Sequence, residues 1–291
     1  MKLIDYKCSF NDGEIDMVLD VESKLNFPEV HHNSEDMVLL SKLIKAKYND
    51  NFCILPFCHT LEAEALGGII NLGDEKNGPR VKEYVCNSVE DVLQLPAIDF
   101  SKGRIHQVLK ASKELSAQGE EVIFFMSGPF TILNTLIKPT KLFKTFKKEP
   151  EIMQTIFNKI QKQLLDLTIE VKRSGVKIIS YADSSGGLNI LGPNFFEKTL
   201  EMFTVDTLDQ MSEIMGSEGL IQLCPKTSLG LISSGRAKWG FLKLDSNMNY
   251  RKSITKFKGK ARFIGETCLK NPDYMFENKQ LKTIILKDQH V

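Results

Sequence analysis

At 291 residues, 42% of them hydrophobic, the chain is able to bury one large core and is of the length that a single α/β barrel of ~250 residues requires. Lys and Arg number 38 against 37 Asp and Glu, and both signs are scattered. No basic stripe is present for a phosphate backbone or an anionic membrane, so no nucleic-acid partner is expected. Residues 1–14 already carry Lys2, Asp5, Lys7, Asp12 and Glu14. They lack the apolar core of a secretory signal, and no apolar run approaches the ~20 residues of a membrane helix. A cytoplasmic protein without a membrane partner is therefore expected, with the six cysteines as reduced thiols.

In chain order, 34–47 predicts a helix that belongs to an N-terminal extension of about residues 1–50. Short apolar runs then predict strands at 52–57, 81–86, 122–126, 176–181, 220–224, 240–244, 261–264 and 281–286. Several, such as VIFFM and VKIISY, are continuous rather than alternating, as strands buried on both faces require. Between them lie helical patterns. In 149–173, Ile152, Ile156, Ile160, Leu164, Leu167 and Val171 make one stripe, with Pro150 in the first turn and Gly175 as the stop. Residues 193–215 place Phe196, Leu200 and Phe203 similarly. Eight strands alternating with helices, and no Pro/Gly/Ser linker, predict a single-domain (β/α)8 TIM barrel over residues 1–291.

In a parallel barrel the functional residues stand just beyond the strand ends, where the loops converge. Those positions hold Cys58 and His59, then Ser127-Gly128-Pro129, then Asp183 followed by Ser184, Ser185, Gly186 and Gly187. Beyond the later strands come Cys224-Pro225-Lys226, Asp245, and Glu266-Thr267-Cys268. Two cysteines, a histidine and several carboxylates around one cavity suit a zinc ion. The same residues also admit a structural reading. Free cysteines are commonly small buried side chains, His59 alone reads as a hydrogen-bonded structural histidine, and Asp183 ahead of two glycines reads as turn chemistry.

The segments LPFCHTLEAEALGG (55–68), SGPFTILNTLI (127–137), YADSSGGLNILGPNFFEK (181–198) and IQLCPKT (221–227) resemble, in order and spacing, motifs of the uroporphyrinogen decarboxylase superfamily. The resemblance is to its corrinoid-dependent methyltransferase branch and covers about residues 52–268. It implies methyl transfer between a corrinoid (methylcobalamin), carried on a separate corrinoid protein, and a small-molecule donor or acceptor, assisted by zinc. Two departures stand out. Gln222 occupies the histidine position of the His-x-Cys zinc motif of methylcobalamin:thiol methyltransferases, although Cys224 keeps the cysteine. No cysteine follows the eighth predicted strand, so Cys268 is the candidate replacement.

The resemblance thus implies Cys224, Cys268 and His59 as metal ligands. It implies His59 and Glu62 as further ligands or acid/base groups, Asp183 as a polar anchor, and Tyr181 and Lys226 as cavity lining. The alternatives are a non-catalytic barrel that only binds a corrinoid or tetrapyrrole, and a uroporphyrinogen decarboxylase. The decarboxylase reading needs arginine forks for a polycarboxylate near the first strand. ILPFCHTLEAEA has two glutamates there and no arginine.

Overall fold

The computed structural model describes residues 3–6, 25–74, 77–246, 248–271 and 273–287. Helix α1 (Ser34–Tyr48) starts where the Asn33 side chain accepts the Glu35 and Asp36 N–H groups, and ends at Asn49 in the left-handed region. Strand β1 (Cys53–Leu55) follows, then the short α2 (Leu61–Ala65) and two strands, β2 (Ile69–Asn71) and β3 (Arg80–Glu83). Two helices, α3 (Val89–Gln94) and α4 (Gly103–Ala117), lead to β4 (Val122–Ser127). Next come α5 (Pro129–Leu136), α6 (Pro139–Lys148) and α7 (Pro150–Arg173), then β5 (Ile178–Ala182).

The helix expected at 193–215 begins earlier and is not uniform. Helix α8 (Leu188–Thr199) kinks at Gly192, just before Pro193, and passes through a π-helical turn (Leu200–Thr204) into α9 (Val205–Met215). Strand β6 (Leu220–Leu223), α10 (Pro225–Ser233), β7 (Ala237–Lys243), α11 (Tyr250–Ser253), β8 (Phe263–Ile264) and β9 (Gln280–Leu286) complete the described chain.

Strands β1, β4, β5, β6 and β8 pair in parallel in that order. Strand β9 then pairs antiparallel to β8, and β7 antiparallel to β9, so β9 alone runs against the others. The architecture is α/β with a mostly parallel central sheet. It differs from eight parallel strands in three ways. The strand expected at 81–86 is replaced by an antiparallel β2–β3 hairpin outside the sheet, because Arg80, Lys82 and Glu83 leave it no apolar face. The sixth expected strand, 240–244, does not separate its neighbours but lies at the far edge as β7. The eighth, 281–286, runs in reverse as β9.

Among the described residues no ladder joins β7 to β1. The free edge of β1 is met instead by a side chain of α1: Ile54 N–H donates to Ser41 Oγ at 3.0 Å, and the Ser41 hydroxyl donates to the Ile54 carbonyl at 2.9 Å. A buried hydroxyl thus supplies both halves of what a neighbouring strand would offer.

Alternation along the strands divides the core into two layers. Leu55, Phe124, Met126, Ile179, Ile221 and Phe263 face one layer, which α4, α5, α7 and α9 cover with residues such as Val108, Phe130, Ile160 and Met211. Ile54, Ile123, Phe125, Ile178, Leu220 and Ile264 face the other, covered by Leu40 and Ile44 of α1, Tyr250 of α11, and Ile254, Phe257 and Phe276. A buried ion pair ties this second cover to the start of β1. Arg251 Nε reaches both carboxylate oxygens of Asp50 at 2.9 Å, and Arg251 Nη1 donates to the Leu269 carbonyl. Among the described residues no helix is long and apolar enough to cross a membrane.

Candidate functional site

The loop after β1 turns at once into α2 and presents Cys58, His59, Thr60 and Glu62. His59 stacks on Phe125 of β4, with ring centroids 6.2 Å apart and planes 6° from parallel. Its ring therefore lies on the face of the sheet covered by α1 and α11. Glu62 is buried, and its Oε1 accepts the Ser127 N–H at 2.7 Å, which fixes α2 against the end of β4. Its Oε2 is buried without a hydrogen-bond partner among the described residues. Burial pushes the Glu62 carboxyl above the usual carboxylate range, against the opposing pull of the Ser127 hydrogen bonds and nearby Arg104.

Asp183, just beyond β5, is committed to α5. Its Oδ1 accepts the Thr131 N–H and hydroxyl, both at 2.8 Å, and its Oδ2 accepts the Phe130 N–H at 3.2 Å. A carboxylate at a helix N-terminus satisfies donors that have no partner within the helix. The fit explains two glycines of the sequence motifs. A Cβ at Gly128 would stand 2.4 Å from Asp183 Cβ, and one at Gly186 would stand 2.1 Å from Asp183 Oδ2. Burial raises the Asp183 carboxyl, opposed by those bonds to Thr131 and Phe130 and by Lys226. Tyr181, in β5, is buried and feels both acids. Burial pushes its phenol well above the ordinary value, and Asp183 and Glu62 push it the same way. Lys226 Nζ donates to the Ser184 carbonyl at 2.8 Å, which ties the start of α10 to the loop after β5.

The charges of Glu62 and Asp183 thus act on Tyr181, and that of Lys226 acts on Asp183, while His59 stacks on Phe125, which faces the other side of the sheet from Tyr181. Cys224 precedes α10, with its backbone N–H on the Tyr181 carbonyl, and is half-buried like Cys268. The structure does not bring Cys224, Cys268 and His59 into a metal-binding group: no cluster of three or more His, Cys, Asp or Glu side chains able to hold an ion exists among the described residues. Cys8 lies outside them.

Arg104, in the first turn of α4, was not singled out by its sequence. It is buried, and it donates to Cys58 Sγ at 2.9 Å, to Thr60 Oγ1 at 2.9 Å and to Glu64 Oε2 at 2.6 Å. An arginine does stand beside the first strand, then, but it comes from 46 residues away and its donors are engaged by the loop. It is no open fork for a polycarboxylate.

A family model described as uroporphyrinogen decarboxylase (URO-D) matches residues 17–278. The chain belongs to the URO-D family. Within that family it is similar to the methylcobamide:CoM methyltransferase MtbA of Methanosarcina acetivorans, with 27% identity over 209 residues. That match covers 70% of this chain and 61% of the relative. It is also similar to the methylcobamide:CoM methyltransferase MtaA of Methanosarcina barkeri, 26% identical over 240 residues, covering 80% and 68% of the two chains. Among solved structures, a methyltransferase from Methanosarcina mazei superposes with a TM-score of 0.63 at 21% identity, covering 76% of this chain and 65% of that one. This likeness shows a shared fold.

The His-x-Cys motif implied by the resemblance would place a zinc donor at position 222. Gln222 is buried, and both ends of its amide are used. Oε1 accepts the Ser180 hydroxyl at 2.6 Å, while Nε2 donates to the Leu223 carbonyl at 2.7 Å and the Thr267 carbonyl at 3.4 Å. The donor set does not fit a resident zinc, and no step is derived through one.

Proposed function

We propose that this chain is a methyltransferase that moves a methyl group between a corrinoid on a separate corrinoid protein and a small molecule. The observation that carries the reading is its relationship, over 209 to 240 residues, to proteins named methylcobamide:CoM methyltransferases. The proposal takes residues 1–291 as one barrel-like URO-D unit, with residues 1–50 as its helical extension.

The corrinoid is a substrate here, and its cobalt carries the methyl group. The chain's contribution is a proton held at a fixed place. Glu62 is the assigned acid and base. With a methoxy or methylamine donor, its carboxyl gives a proton to the oxygen or nitrogen as the bond from that atom to the methyl carbon breaks. With a thiol acceptor, its carboxylate takes the proton as sulfur receives the methyl group. Burial supports this role, since it keeps the carboxyl protonated further up the pH scale than an exposed glutamate. His59 is the second candidate acid or base. Asp183 positions α5 and the loop around the acid, and Tyr181 and Lys226 line the same region. Cys224 and Cys268 are thiols at the neighbouring strand ends.

Methyl-Co(III) and Co(I) corrinoids differ in absorbance, which makes the reaction visible. The protein is mixed with methylcobalamin and a panel of thiols, and in the reverse direction with Co(I) corrinoid plus methoxyaromatics and methylamines. At least one pair is expected to change the spectrum at a rate proportional to protein, and Glu62→Gln is expected to slow it about 10²- to 10⁴-fold. No change with any pair, beside decarboxylation of a porphyrinogen, would overturn the reading.

A further inference from the structure

We infer that this chain operates without a resident zinc, and that the place of the metal is taken by a hydrogen-bonded lock centred on Gln222. The inference rests on the proposed methyl transfer for its functional meaning, but its geometry stands independently of that reading.

A structural or catalytic zinc joins segments that are distant in sequence by binding to each of them. Gln222 joins three segments without a metal. Its amide oxygen is held by Ser180 of β5, 42 residues earlier, and its amide nitrogen reaches the Thr267 carbonyl beyond β8, 45 residues later. Ser180 and Gln222 are register partners in the β5–β6 ladder, so their side chains project from the same face and meet directly. That face is the one on which His59 stacks against Phe125. To free the Gln222 oxygen for an ion, the Ser180 hydroxyl would have to give up its acceptor in a buried setting. A neutral amide oxygen is also a poor match for zinc, which favours imidazole and thiolate. The Cys58 thiol is turned toward Arg104 and Thr60. The consequence is chemical: proton transfer replaces Lewis-acid activation at this site, and thiol acceptors arrive without a metal to hold them as thiolates.

The test uses the full chain, purified with and without added zinc and then dialysed. Elemental analysis is expected to find far less than one zinc per chain in both preparations. Titration with Co(II), a spectroscopic stand-in for zinc, is expected to give no thiolate-to-cobalt charge-transfer band. Ser180→Ala, the mild disruption, is expected to lower Tm by about 2–4 °C, and Gln222→Ala by more, with neither variant gaining metal. Should Gln222→Ala fail to fold, Ser180→Ala still decides the lock. Stoichiometric zinc or a charge-transfer band in the native chain overturns the inference, as does an unchanged Tm in Ser180→Ala. The two readings separate cleanly: a zinc-loaded chain that transfers methyl groups sinks this one alone, and a metal-free chain that is inert toward every corrinoid pair but decarboxylates a porphyrinogen sinks only the other.

Discussion

Glu62 shows most directly how a single side chain couples stability to chemistry. Its carboxyl is raised by burial, so the folded state holds the proton more tightly than the unfolded chain does. The group therefore favours folding below the ordinary glutamate value of about 4.3, and that contribution is lost as pH climbs through the raised folded value. Glu62→Gln, which keeps the shape and removes the titration, is expected to narrow the fall in stability between pH 4 and pH 8. Urea unfolding at the two pH values checks this, and equal pH slopes in the two proteins would contradict it. The residue was visible in the LEAEA segment as a candidate acid, but its partner was not. Ser127 lies 65 residues away, and nothing in either local pattern announces the contact. Arg104 was hidden for the same reason, being one charged residue in an ordinary helical first turn. Gln222 was legible as a departure, whereas its two-ended engagement required the strand register.

Among the elements, α5 depends most on a residue outside itself. It has eight residues, begins with Pro129, and has no side-chain cap at Gly128. Asp183 supplies that cap from the next strand's end. Asp183→Asn retains one acceptor oxygen but sets an NH2 group against an N–H donor, and is expected to cost about 1–3 kcal/mol in chemical denaturation. A neutral result would mean that the loop re-forms around the amide. Strands such as β4, β5 and β6 were legible because continuous apolar runs are what a sheet covered on both faces demands. The direction of β9 was not, since an apolar run has the same composition whichever way it runs. Strand 81–86 misled for the opposite reason: Val81 and Val85 suggest a strand, and the charges around them are what hold it outside the sheet.

For the molecule as a whole, the order of helices and strands was readable and the closure was not. The turn before β1 and helix α11 meet through Asp50 and Arg251, which lie 201 residues apart and are both buried. Removing one partner leaves the other charge stranded, so Asp50→Asn is expected to destabilise the protein by about 3–5 kcal/mol, measured by urea unfolding. A loss below about 1 kcal/mol would show that water reaches Arg251 and that the cover formed by α11 is loose.

The hydroxyl of Ser41 also gives the sheet a direction of growth. An unpaired edge strand is an invitation to any passing extended chain, because its free N–H and C=O groups form a template. At β1 that template is already occupied at Ile54, so addition there would have to displace a helix. Among the described residues the remaining edge of this sheet is β7, where the exposed Phe241 invites contact and the exposed Lys238 and Lys243 on either side of it oppose pairing by mutual repulsion. One edge is thus blocked by occupancy, and the other, flanked by charge, is the one left to admit an added strand.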